Sequence, residues 1–166
     1  MVKKILSLLL LMMLAACSQD STKLIPTDEM PDVGIPTESL NKNIYLRAPD
    51  EWNDFKTESF IRILVNVATE DAIIFPYNFG VRIFIFDNGW TEIENTGTYL
   101  SLDNITIAPG MDFLSGGIVT LMPDLDDYSQ PVLLRVFVIG NILRDEKMTG
   151  EVVGSYITSD VELVGG

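Results

Sequence analysis

The chain has 166 residues, 47% of them hydrophobic, with 11 basic against 24 acidic side chains and a net charge of −13. That apolar content suffices for a packed core. A chain this acidic with no basic cluster is not read as a nucleic-acid binder, because gripping phosphates takes lysine and arginine. There is no histidine, and the single cysteine is Cys17. This excludes intrachain disulfides, His-based triads, Cys–His dyads and the common zinc sites.

The chain begins with a short basic stretch, Lys3 and Lys4, followed by the apolar run Ile5 to Leu14. Ten residues are too few to cross a hydrocarbon core of about 30 Å. Leu14-Ala15-Ala16-Cys17 follows, with small residues ahead of the cysteine. This arrangement resembles the lipobox of bacterial lipoproteins. The resemblance implies that residues 1–16 are a signal peptide, that the Cys17 sulfur carries lipid, and that the chain is held at a membrane outside the cytoplasm. Two or three acyl chains hold a protein stably where one does not. Ser18 after the cysteine, in place of aspartate, points to the outer membrane in cells that have one.

Residues 17–43 show neither strand nor helix periodicity. Prolines fall at 26, 31 and 36 among Ser, Thr and acidic residues, and Ile25-Pro26-Thr27 recurs as Ile35-Pro36-Thr37. The composition predicts a flexible acidic tether holding the following domain on the order of 25–30 Å from its anchor.

Strand signals fill the rest. Asn43 to Ala48 is a first strand, stopped by Pro49. Ser59 to Thr69 alternates, with Ile61, Ile63, Val65 and Val67 facing the core. Ile73 to Phe75 is a short run ended by Pro76. Val81 to Glu94 is a hairpin around Asn88-Gly89, the dipeptide that best tolerates a two-residue turn. That turn pairs Phe86 with Thr91 and Phe84 with Ile93, which places the phenylalanines on the core face and Glu92 and Glu94 in water. Tyr99 to Leu102, Ile105 to Ala108 and Ile118 to Met122 are further short strands. Val132 to Ile139, apolar on both faces apart from Arg135, is a central strand. Gly140 to Gly150 is a polar loop, with a hairpin at its end as the alternative, and Glu151 to Leu163 closes the domain with Val153, Ile157, Val161 and Leu163 in phase.

Seven or eight short strands at regular spacing predict an all-β, antiparallel, immunoglobulin-like sandwich over residues 44–164. The alternative is a jelly roll or small β-barrel. The hairpin, Ile107 to Gly110, Pro131 to Gly140 and Glu151 to Ile157 together resemble immunoglobulin- or fibronectin-like domains of bacterial surface lipoproteins. The resemblance implies fold and location and brings no catalytic residues with it.

Candidate sites are few. Asp124, Asp126 and Asp127 are the densest carboxylates, suited to calcium, with Asp87 and Asp145-Glu146 joining them if their loops share one end. Calcium apart, no cofactor is expected. Trp52, Phe55, Tyr77 and Phe79 are candidates for an aromatic ligand patch. Glu92 and Glu94 are two apart on one strand face, as in paired-carboxylate hydrolysis. Arg135 is expected to meet a cross-strand carboxylate or to lie on the outer face. The expected function is a lipid-anchored, non-catalytic surface module that binds an envelope protein, a glycan or another ligand. A structural subunit of an envelope assembly and a carboxylate-dependent hydrolase are the alternatives.

Overall fold

A computed structural model of the chain describes residues 29–48, 61–96, 104–109, 117–125 and 132–161. The leader, Cys17, Trp52, Phe55, the strand expected at 99–102, Asp126, Asp127 and Leu163 lie outside the described residues.

The alternation in the second strand organises one layer. Strand β2 (Ile61–Val67) buries Ile63, Val65 and Val67 in the main core. It pairs antiparallel with β1 (Ile44–Arg47), Ile44 opposite Val67. Its other edge takes β7 (Gly117–Leu121), Ile63 opposite Val119. This three-stranded sheet presents Tyr45 and Ile118 on its outer side, 62% and 51% exposed.

The second layer is built on β8 (Val132–Arg144), central as its two apolar faces predict. One edge pairs with β9 (Lys147–Val161) from end to end. The other edge is shared: β4 (Arg82–Phe86) takes its first half and β3 (Ala72–Phe75) its second. Outside these lie β5 (Trp90–Ile93), against β4, and β6 (Ile105–Ile107), against β3. β3 and β4 are one strand interrupted by a 3-10 turn, Tyr77–Gly80, in which Asn78, Phe79 and Gly80 all have positive φ. At Gly80 a Cβ would lie 2.2 Å from the Ile139 carbonyl oxygen, so the turn hugs the central strand where only glycine fits.

With β3 and β4 counted as one strand, the order is β1-β2-β7 facing a sheet that runs from β5 and β6 through β3–β4 and β8 to β9. That is the immunoglobulin-like sandwich arrangement. Ile44, Ile63, Val65, Ile73, Phe75, Ile83, Ile85, Leu134, Val136 and Val138 fill the space between the layers. Each contributes about 1.5–3 kcal/mol by burial.

Three expectations are corrected. First, β8 does not stop at Gly140 but continues to Arg144, and β9 starts at Lys147. Gly140 is no strand breaker here: a Cβ would meet Ile73 Cγ2 at 2.6 Å and the Ile74 oxygen at 3.1 Å, so its bareness lets β3 close in. The connection is a two-residue turn, Asp145-Glu146, both residues left-handed at φ 49 and 62. Second, the 81–94 hairpin pairs Phe86 with Trp90, Phe84 with Glu92 and Ile83 with Ile93. Asp87 joins Asn88 and Gly89 in a three-residue loop, and that single step turns β5 over relative to β4. Ile83 and Ile85 therefore face the main core, with Ile93 packed against it, and the phenylalanines point the other way.

Third, residues 29–40 are not free tether. Met30, Val33, Ile35 and Leu40 lie against Phe84, Trp90, Phe137, Ile139 and Tyr156 on the outer face of the larger sheet, forming a second, smaller apolar cluster. Phe84 and Phe137 meet edge to face there, 5.6 Å between centroids. This strap ends in a 3-10 turn, Thr37–Ser39, and Leu40 then makes a parallel bridge to Gly154. The Asn41 amide donates to the Gly154 carbonyl at 3.0 Å. Asn41 Oδ1 in turn accepts from Ser155 Oγ at 2.7 Å and the Tyr156 amide at 2.9 Å.

Candidate functional site

Strand directions sort the loops into two ends. Phe86 pairs with Leu133, so the Asp87–Gly89 turn lies at the start of β8, here the lower end. Arg144 pairs with Lys147, so Asp145-Glu146 lies at the upper end. The Ala68–Asp71 connection is also at the upper end, because Ala72 pairs with Leu143. Eleven strand steps separate the two ends, about 35 Å at strand rise.

That separation bears on the residues that could have joined the Asp124 cluster. Asp87 and Asp145-Glu146 stand at opposite ends and do not form one site. Asp124 is at neither: its amide donates to the Glu94 carbonyl at 3.0 Å, where an Asn95–Pro123 bridge ties the exit of β7 to that of β5. Its side chain is exposed. No group of three His, Cys, Asp or Glu able to hold a metal occurs among the described residues.

The aromatic patch is divided. Phe79 is buried against Phe75, 5.5 Å between ring centroids, and its ring fills the space a side chain at Gly117 would need. Tyr77, two residues earlier, is 43% exposed. The left-handed turn sends the two rings to different sides, so they do not present one surface.

Glu92 is engaged. Arg82 Nε and Nη2 each donate to one of its carboxylate oxygens at 2.7 Å, across the β4–β5 pair. This fork holds the Glu92 carboxyl below its ordinary range. A general acid needs the opposite shift. Asp71 is paired in the same way with Arg144 at the upper end, and its carboxyl is likewise lowered by that hydrogen bond.

The most organised polar centre is Arg135. It lies on the outer face, as expected, but is 5% exposed there because the strap covers it. No carboxylate pairs with it among the described residues. Instead its guanidinium carbon sits 4.4 Å from the Trp90 ring centre and 5.2 Å from that of Tyr156. Nη1 donates to the Glu29 carbonyl at 3.0 Å and approaches Met30 Sδ at 2.9 Å, and Nε donates to Thr158 Oγ1 at 3.2 Å. Trp90 Nε1 donates to the same Glu29 carbonyl, also at 3.0 Å. Burial lowers the guanidinium pKa, partly offset by Tyr156, yet an arginine stays charged. Flat cation faces and aromatic rings thus replace an ion pair. The clasp was missed in sequence, although an arginine inside the most apolar strand signals a covered outer face.

The arrangement holds a chain segment in place and gives the sandwich a fixed entry point, with loops displayed at the far end. No protein-family model, curated protein or solved structure matches the chain, so the reading of its function rests on these residues.

Proposed function

We propose that the protein is a lipid-anchored module of the bacterial cell envelope. Its sandwich binds a protein, glycan or other envelope ligand without catalysis. The observation that carries this reading is Leu14-Ala15-Ala16-Cys17 at the end of a ten-residue apolar run behind Lys3 and Lys4. Acylation of that thiol would give a durable anchor. The sandwich supports the second half, since rigid layers displaying short loops are a common binding scaffold.

The test is direct. Mass spectrometry of the membrane-extracted protein is expected to find Cys17 at the mature N-terminus, heavier by its acyl chains. Cys17→Ala is expected to move the protein out of the membrane fraction. An unmodified thiol overturns the reading.

The envelope-assembly reading is favoured by Tyr45 and Ile118, which leave apolar area exposed on the smaller sheet. One partner recovered in fixed stoichiometry from detergent extracts would support it.

A further inference from the structure

Strand β1 starts at the upper end. Ile44 pairs with Val67, one residue before the Ala68–Asp71 connection, and the Asn43 carbonyl accepts from the Ala68 amide. A chain arriving directly at β1 would therefore enter beside the loops. The strap brings it in elsewhere. Glu29 is pinned to Trp90 and Arg135. Trp90 pairs with Phe86, which pairs with Leu133, so the pin lies near the start of β8. From Arg135 to the Asp145-Glu146 turn is about 33 Å of strand.

From this placement we infer that the strap sets which end of the sandwich faces the membrane. The inference rests on the anchor at Cys17 proposed above. Between Cys17 and Glu29 the chain spans at most about 40 Å, whatever its conformation. Resting the lower end on the bilayer asks almost nothing of that length. Standing the upper end on it lifts Glu29 by about 33 Å, which takes close to full extension. With the strap released, the leash runs from Cys17 to Ile44, about 90 Å at full length, and joins the body at the upper end instead.

The Asp87–Gly89 turn is therefore membrane-proximal. The Ala68–Asp71 connection and the Asp145-Glu146 turn form the outward face, the one a partner beyond the membrane meets. The clasp suits the task. Two donors converge on one carbonyl at one end of the strap, Asn41 ties the other to β9, and four apolar side chains lie between.

The experiment uses the acylated protein in vesicles carrying an acceptor dye on their headgroups. Cys17 is the only cysteine and is blocked by lipid, so Asp87→Cys and Lys147→Cys each add one thiol for a donor dye. Energy transfer is expected to be strong from position 87 and largely lost from position 147. Met30→Lys with Ile35→Lys, both on the strap and outside the main core, sets a second cation beside Arg135 and a charge in the apolar cluster, and is expected to abolish or reverse the difference. Equal transfer from the two positions on the unaltered strap overturns the inference, whatever the strap variant does. Mass spectrometry of the same sample separates the two failures. An unacylated Cys17 removes the anchor and this inference together; an acylated Cys17 with equal transfer removes this inference alone.

Discussion

The Arg135 guanidinium lies 4.4 Å from the centre of the Trp90 ring, and both side chains donate to the carbonyl of Glu29. An acceptor shared by a cation and an indole joins the strap to both β8 and β5. The contact is dry enough for stacking to count, about 1–2 kcal/mol for a desolvated cation–π pair.

Removing the cation is expected to loosen the strap without dissolving the sandwich. Arg135→Ala should cost about 2–4 kcal/mol, since it deletes the stack and leaves the carbonyl of Glu29 with one donor fewer. Arg135→Lys should cost about 1–2 kcal/mol, because an ammonium cannot lie flat between two rings. Trp90→Phe keeps a ring but loses the N–H, at about 0.5–1.5 kcal/mol. Urea titration checks the order, and raised proteolysis of residues 29–40 in Arg135→Ala locates the damage.

The turn between β8 and β9 runs the other way. Asp145 and Glu146 both occupy left-handed backbone, a conformation that suits Asn-Gly and strains a glutamate. Glu146→Gly is expected to stabilise the protein by about 1 kcal/mol, a rise in Tm of about 3–5 °C by calorimetry.

Glycine at position 80 is required by space as well as by φ. Gly80→Ala should cost about 2–4 kcal/mol, because the new methyl meets the carbonyl of Ile139. Gly150 also has positive φ, but nothing lies within 4 Å of its would-be Cβ. Gly150→Ala should therefore cost only about 1 kcal/mol. Chemical denaturation of the pair isolates the steric part.

Glu92 gives a dependence on pH. Its pKa is lowered in the folded state by Arg82, from a reference value of 4.5. The stability it contributes is thus fully present above that reference and disappears as pH falls through the lower, folded value. Both side chains are substantially exposed, 33% and 45%, so the effect is small, about 0.5 kcal/mol. Glu92→Gln should lower stability by that amount near neutral pH and make no difference at about pH 2.

Regular strands were legible where one face is wet or both faces are uniformly apolar. Ile63, Val65 and Val67 share one face of β2, with Arg62 and Asn66 on the other, and their assignment to the core follows from that period although Leu64 interrupts the polar set and is itself buried. β8 was identified as central by its two apolar faces. The hairpin was located but slipped by one residue, because Asn88-Gly89 is a strong turn signal whether or not Asp87 joins the loop. Gly140 looked like punctuation, since what a missing Cβ admits is set by β3, nearly seventy residues earlier in the chain. The strap had no period to detect. It crosses strands instead of pairing along one, so Met30, Val33, Ile35 and Leu40 make contact at irregular spacing. Phe79 was misgrouped with Tyr77 because a left-handed turn separates neighbours that a flat reading keeps together.

The seat of residues 29–40 is made largely from β8 and β9, and the bond from Arg135 to Glu29 closes 106 residues of chain. What is synthesised early is thus fastened late. A nascent chain has this stretch uncovered until the β8–β9 hairpin arrives, which makes it a natural point of attack for proteases. Loss of the β8–β9 hairpin would expose a site a hundred residues away, and the damage would show first in residues 29–40.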